Sequence, residues 1–325
     1  MSVIMHRSRG LSLVELMVAL AIGTFLLVGT ITVFGKTRDL YRTNEQAARL
    51  QEAARYAMST LESDLRMSSH WGLLNNSLDI RNRAPDATTL PAGLNASLED
   101  EIDACAENWG VDVVNYLEAA DANYPLNCDP YTDAVEDSDL LTVRFAQAGM
   151  MSAAALAASD GQIKIQASRS QGEIFSGDTI PPDFLPPSSE TRALVVHSYY
   201  VDEQSDSSTT VPSLRRKRLG FAGGVPTVED EEVVSGVEDL QVQIGWDTNG
   251  DQNAELYVDP DTVGLPAAAV PVAVRVWLLV RSDQRESGFT DDREYSYGNR
   301  VDYAPGGNFR RLLISKTIML RNTRR

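Results

Sequence analysis

The sequence is poor in the residues that most catalytic centres need. Three histidines, His6, His70 and His197, and two cysteines, Cys105 and Cys128, occur in 325 residues, which leaves little for a transition-metal site or a histidine-based centre. No G-x-S-x-G, H-E-x-x-H or P-loop signature is present, so the common hydrolase, metalloprotease and nucleotide-binding frameworks are excluded at the level of motif. Positive charge is also scarce: 29 Lys and Arg stand against 46 Asp and Glu, a net of −17. Phosphate binding needs a cationic surplus, so a general nucleic-acid binder is not expected. What the chain does have is apolar matter. With 43% hydrophobic and 23% charged residues, it can build a core in one large domain or two ordinary ones.

The amino terminus is the most informative stretch. Residues 1–10 read MSVIMHRSRG, with Arg7 and Arg9 and no acid; residues 11–34 then run LSLVELMVALAIGTFLLVGTITVF with one charge, Glu15. At about 1.5 Å per residue this run spans a bilayer core of about 30 Å. The basic leader predicts a cytoplasmic start and an exported remainder. A cleaved secretory signal fits poorly, because its apolar region is only ~7–15 residues and the small residues here, Gly29 and Gly35, come after too long a run.

Glu15 is the anomaly. A carboxylate in a membrane helix costs on the order of 2.5–3.5 kcal/mol and calls for a partner. No Lys or Arg lies within a turn or two of it on its own helix. A cut after Gly10 creates an α-amino group on Leu11 in the same membrane layer, and Glu15 of one subunit can then pair with the amine of a neighbour. Burial becomes tolerable only in an assembly.

Arg9-Gly10 followed by Leu11-Ser12-Leu13-Val14-Glu15-Leu16 resembles the class III signal of type IV prepilins. The resemblance implies that a prepilin peptidase cuts after Gly10, that Leu11 is N-methylated, and that Glu15 registers each subunit in the assembly. Two departures are Leu11, where phenylalanine is commonest, and the absence of proline from the apolar run. A plain signal anchor is the alternative; it leaves Glu15 unexplained.

Beyond Gly35, the positions Leu40, Ala47, Leu50, Ala54, Ala57, Leu61 and Leu65 keep a three- or four-residue spacing, one apolar stripe along a helix. Glu45 with Arg49 and Glu62 with Arg66 stand four apart in the favourable order, and Ser69-His70-Trp71-Gly72 is a stop. A helix from Leu11 to about Ser68, roughly 87 Å long, is expected, its stripe needing a sheet to cover it. A coiled-coil stalk is the alternative. The chain thus divides into a leader (1–10), a transmembrane and assembly helix (11–35), its amphipathic continuation (36–70), a disulfide-containing loop region (71–139) and a β-rich part (140–325).

Within the loop region, Pro85 and Pro91 break the chain and one short helix is expected at Val111 to Ala122. Export implies an oxidising compartment, so Cys105 and Cys128 read as one disulfide. Alternating runs at Leu141 to Gln147, Gln162 to Ala167, Ala193 to Val201, Leu214 to Phe221, Val237 to Trp246, Val270 to Arg281 and Arg311 to Leu320 predict antiparallel strands. Met151 to Ala158 predicts a short helix, and Asp202 to Thr210 a solvated, mobile loop.

Together with the prepilin signal, the size, the run Val274 to Arg281 and the closing Arg310 to Asn322 resemble PilW-type minor pilins. The implied fold is α+β: a long N-terminal helix, half transmembrane and half amphipathic, packed on a β-rich antiparallel pilin-like domain. The implied function is structural, in priming or capping a type IV pilus. The implied place is the inner membrane, single-pass, with a periplasmic C-terminal domain, and later the pilus or its tip. The implied partners are other minor pilins, the major pilin, prepilin peptidase, the inner-membrane assembly platform and a tip adhesin. J-type pseudopilins of type II secretion share the signal and general fold, and an anchored enzyme or solute-binding domain is a third reading.

Three further features carry chemistry. Asp247, Asn249, Asp251 and Asn253 in WDTNGDQNAE offer oxygens at alternate positions, as a calcium loop does, or form a hairpin turn signalled by Asn249-Gly250. The turn reading is preferred, because Gln252 and Val258 stand where an EF-hand loop has Gly and Glu. Arg215-Arg216-Lys217-Arg218 is a basic run suited to an acidic partner or, in the simpler reading, an exposed strand. The acidic pairs Asp259/Asp261 and Asp291/Asp292 read as loop charges, and His197 as a structural histidine.

Overall fold

The computed structural model describes residues 12–84, 104–184, 187–266 and 268–323. Gly10 and Leu11 lie outside the described residues, as do Pro85 and Pro91. The chain separates into two compact units, Met1–Arg49 and Leu50–Arg325.

Helix α1, Leu13–Met67, contains the apolar run and the amphipathic stretch. Both expected ion pairs form, Glu45–Arg49 at 2.7 Å and Glu62–Arg66 at 2.6 Å. In the second unit the helix buries Leu50, Ala54, Ala57, Met58, Leu61 and Leu65. Leu40, placed on the stripe by its spacing, is instead 64% exposed. Met58, which the spacing missed, is inside because it stands one turn from Ala54 and completes the face. The stop falls where expected: the N–H of His70 bonds the carbonyl of Met67, Ser69 adopts φ 62°, and Gly72 adopts φ 77°. Trp71 is then fully buried.

Among the described residues fourteen strands follow in the second unit. β1 (Ile80–Arg81), β2 (Leu117–Ala120), β3 (Leu140–Ala146), β4 (Lys164–Ser168), β5 (Gly172–Phe175), β6 (Ser189–Asp202), β7 (Ser213–Ala222) and β8 (Val225–Ser235) form one sheet. Its path is β1-β5-β4-β6-β3-β2, with β7 on β6 and β8 on β7 alone. β9 (Val237–Asp247), β10 (Leu256–Val258), β11 (Val270–Arg281) and β14 (Arg311–Met319) form a second sheet in the order β10-β9-β11-β14. β12 (Tyr295–Tyr297) and β13 (Arg300–Tyr303) make a small hairpin. Every pairing is antiparallel except β1 with β5.

All seven expected strands are present, and α2 (Ala153–Ala157) is the expected short helix, N-capped by Ser152. The helix expected at Val111 to Ala122 is not formed. Val111 and Val113, two residues apart, are both buried, and Leu117–Ala120 pairs with β3 as β2, so pairing with an existing sheet wins over local helical preference. Asp202 to Thr210 also differs from expectation. Asp202 and Ser205 are buried, with Asp202 accepting the backbone N–H groups of Thr132 (2.9 Å) and Gln204 (3.0 Å).

Two cores lie on opposite faces of the larger sheet. The α1 stripe packs with Leu141, Val143 and Phe145 of β3, Tyr199 and Val201 of β6, and Val274, Val276 and Leu278 of β11, so one helix face serves both large sheets. On the other face, Leu194 and Val196 meet Trp71, Trp109, Val113 and Cys105. The period-two alternation of β6 sends adjacent residues to different cores. Cys105 is joined to Cys128, pinning the loop region over that second face. Trp109 Nε1 donates to Ser198 Oγ at 3.0 Å, and Arg144 Nε donates to the Trp109 carbonyl at 3.0 Å.

Candidate functional site

The first turn of α1 is a reciprocal cap. Ser12 donates its N–H (3.0 Å) and hydroxyl (3.1 Å) to Glu15 Oε2, and the N–H of Glu15 donates to Ser12 Oγ at 3.2 Å. This is the capping-box arrangement that a Ser three residues before a Glu favours. Glu15 is exposed and has no cationic partner among the described residues. Its carboxylate therefore sits at the positive end of a long helix dipole, with an oxygen free to accept a second donor. From Leu13 to Phe34 the side chains of this apolar helix are almost all exposed.

The basic run lies on β7 and meets an acidic strand. Register places Arg215 opposite Glu232, Arg216 opposite Glu231, Lys217 opposite Asp230 and Arg218 opposite Glu229. On one face Arg215 Nε donates to Asp230 (2.6 Å) and its Nη1 to Asp206 (2.8 Å), while Lys217 Nζ lies 2.8 Å from Asp230. On the other, Arg216 pairs with Glu231 and Arg218 with Glu229. Arg215 and Lys217 are buried, so the expected exposed strand is corrected: this charge is consumed within the fold. Burial works against the charge of Arg215, yet Asp206 and Asp230 outweigh it and raise its pKa.

Asp64 ties α1 to the same sheet. Its Oδ2 is 2.5 Å from His197 Nδ1 and accepts the Tyr199 hydroxyl at 2.6 Å. His197 is thus structural, as expected. Asp291 is not a loop charge: it is 3% exposed and accepts from Arg293 (2.7 Å), Tyr295 (2.9 Å) and Arg311 (3.2 Å). Burial alone raises a carboxyl, but these donors bring Asp291 down to about 2.

Asp247 to Glu255 connects β9 to β10 as a hairpin, in agreement with the turn reading. Asp247 Oδ1 accepts the N–H groups of Asn249 (3.0 Å) and Gly250 (2.6 Å), and Oδ2 that of Gln252 (2.7 Å). The loop also gathers carboxylate oxygens of Asp247, Asp251 and Glu255 within 4.8 Å of one another, a surface cluster able to chelate a divalent cation. The two asparagines of the same loop bond within it: Asn249 Nδ2 donates to Glu255 Oε1 at 3.0 Å, and the backbone N–H of Asn253 to Asp251 Oδ1 at 2.8 Å. Sequence reasoning omitted Glu255, although it stands at the next alternate position after Asn253; the closure of the hairpin brings its carboxylate to those of Asp247 and Asp251.

With this geometry in hand, comparison with known proteins is specific at two places. Residues 5–31 match the family model described as the prokaryotic N-terminal methylation motif, and residues 198–322 match that of the Type IV Pilus-assembly protein W. The curated proteins give no match. Among solved structures, a type IV-like pilin from Thermus thermophilus is similar at 16% identity, over 57% of this chain and 79% of that one, with a TM-score of 0.30 too slight to argue from. A long apolar helix whose second half packs on an antiparallel β-rich domain, headed by a methylation motif, defines a type IV pilin-like protein, and the chain is one. Within that class it is most like the PilW-type minor pilins. Among the described residues one helix is long and apolar enough to cross a membrane, consistent with a single membrane anchor and a periplasmic globular domain, and both family matches support a structural role connected with pilus assembly.

Proposed function

We propose that this chain is a minor pilin that is cleaved after Gly10 by prepilin peptidase, N-methylated on Leu11, and assembled with other minor pilins to prime or cap a type IV pilus. The observation that carries the reading is Glu15, a carboxylate in an apolar membrane helix with only Ser12 among the described residues to hold it. A neighbour's amine at Leu11 supplies the missing counter-charge, and side-by-side packing of the exposed apolar helices supplies the contact area. The assembly platform, the major pilin and a tip adhesin are the partners of such a subunit.

The test is mass spectrometry of the amino-terminal peptide from protein isolated from its own membranes. A peptide that begins at Leu11 with one added methyl supports the reading; an intact Met1, or a cut beyond Phe34, rejects it. Deletion of the gene then separates pilus from secretion machine. Loss of twitching with normal secretion is expected, and the reverse identifies a J-type pseudopilin.

A further inference from the structure

Just beyond the apolar run, α1 carries Lys36, Arg38, Asp39 and Arg42, all exposed. The next cation, Arg49, is held by Glu45 at 2.7 Å, and the cations of β7 are consumed by the acids of β8. Lys36, Arg38 and Arg42 form no ion pair with a described residue. They are an uncompensated basic cluster, net +2 after Asp39, in a chain whose net charge is −17.

Their placement is unusual in two respects. Lys and Arg are normally depleted from short segments on the exported side of a membrane span, and here three follow the span immediately. They also surround the helix. At about 100° per residue Arg38 and Arg42 share a face, whereas Lys36 lies about 160° away from Arg38. A single protein neighbour engages one face of a helix; a layer of lipid headgroups engages all of them. The rise of 1.5 Å per residue puts the three cations about 3, 6 and 12 Å past Phe34, within the headgroup zone and about one Debye length of it. Phe34 (71% exposed) and Tyr41 (76%) flank Lys36 and Arg38, with Arg42 next after Tyr41, and aromatics are enriched at a membrane–water boundary.

We infer that Lys36, Arg38 and Arg42 bind anionic phospholipid headgroups of the exported leaflet and so set the depth of the helix before assembly. This rests on the single membrane anchor and not on processing at Gly10. Each phosphodiester accepts charge-assisted hydrogen bonds from guanidinium or ammonium groups, and basic residues near an anionic surface gain roughly fivefold in association apiece.

The test uses the full chain carrying Tyr41→Cys, labelled with a fluorophore after the native disulfide has closed, in vesicles of equal parts phosphatidylcholine and phosphatidylglycerol. One lipid at a time carries bromine as a quencher. The expected result is several-fold stronger quenching by the phosphatidylglycerol, falling to parity in Lys36→Gln/Arg38→Gln/Arg42→Gln and at molar salt. Equal quenching in the unsubstituted helix overturns the inference, as does a preference that survives the triple substitution. A preference that appears only once a second pilin subunit is added also overturns it, in favour of an acidic protein face. Gln keeps the helix, and circular dichroism of the triple variant verifies that it has.

Discussion

The side-chain amide of Asn322 donates to the carbonyl of Arg66 at 3.0 Å. The same Nδ2 lies 3.3 Å from the Met67 carbonyl and 3.2 Å from that of Ser68, so it serves the last turn of α1, whose carbonyls have no partners within the helix. Asn322→Ala is expected to lower the stability of the periplasmic domain by about 1 kcal/mol, and Asn322→Asp by more, since a carboxylate cannot donate. A urea midpoint that falls with unchanged slope is the confirming measurement.

The β7–β8 ladder makes two substitutions of the same residue type unequal. Arg215 is buried between Asp230 and Asp206 with its guanidinium 3.7 Å from the Tyr131 ring centroid, so Arg215→Ala is expected to cost about 3–5 kcal/mol. Arg218 is 39% exposed beside Glu229, and Arg218→Ala is expected to cost less than about 1 kcal/mol. Equal losses in denaturant titrations are the result that contradicts the ladder.

Asp139 predicts a pH dependence. It accepts the N–H groups of Ala122 (2.9 Å) and Val242 (2.8 Å), but burial, with Asp121 and Asp239 nearby, raises it to about 7 from an ordinary 3.8. A carboxyl raised in the folded state contributes stability that is fully present below 3.8 and lost as pH climbs through about 7. Relative to Asp139→Asn, the native domain should therefore gain stability from pH 8 down to pH 4, by at most about 1.4 kcal/mol per pH unit. Asp291 does not interfere, because its carboxyl titrates near 2 and its contribution is lost only in stronger acid. Parallel stability curves for the two proteins contradict the assignment.

Opening the Cys105–Cys128 bridge tests how the second core is held. Cys105→Ser/Cys128→Ser is expected to cost about 2–4 kcal/mol and to red-shift tryptophan emission, because Trp109 and Trp71 pack beneath the pinned segment.

The legibility of the molecule in its sequence followed the strength of local patterning. β11 was readable to the residue, because Val270–Arg281 is β-branched, alternating and bounded by turns. β7, the strand of the basic run, was readable as well. The acidic β8 was not: Val225–Ser235 carries Glu229 to Glu232, and four consecutive acids look like solvated loop until the cations of β7 are placed opposite them. β2 failed for a related reason, since Leu117–Ala120 is a strand only through β3. At the candidate site, Glu15 was visible as a charge in an apolar run. The Ser12-x-x-Glu15 spacing of its cap and the alternate position of Glu255 are both in the sequence, whereas the closing of Glu255 onto Asp247 and Asp251 depends on the hairpin.

Among the described residues β8 pairs with β7 alone, so its other edge has no strand partner there, and Glu229, Asp230, Glu231 and Glu232 lie on the strand. An open strand edge is a template on which another chain can polymerise, and charged side chains along the strand make it a poorer one than an apolar edge. Anchored subunits held at high density in the plane of a membrane face that hazard constantly. The acids that pair with the cations of β7 thereby also discourage edge-to-edge pairing of that strand between neighbouring copies.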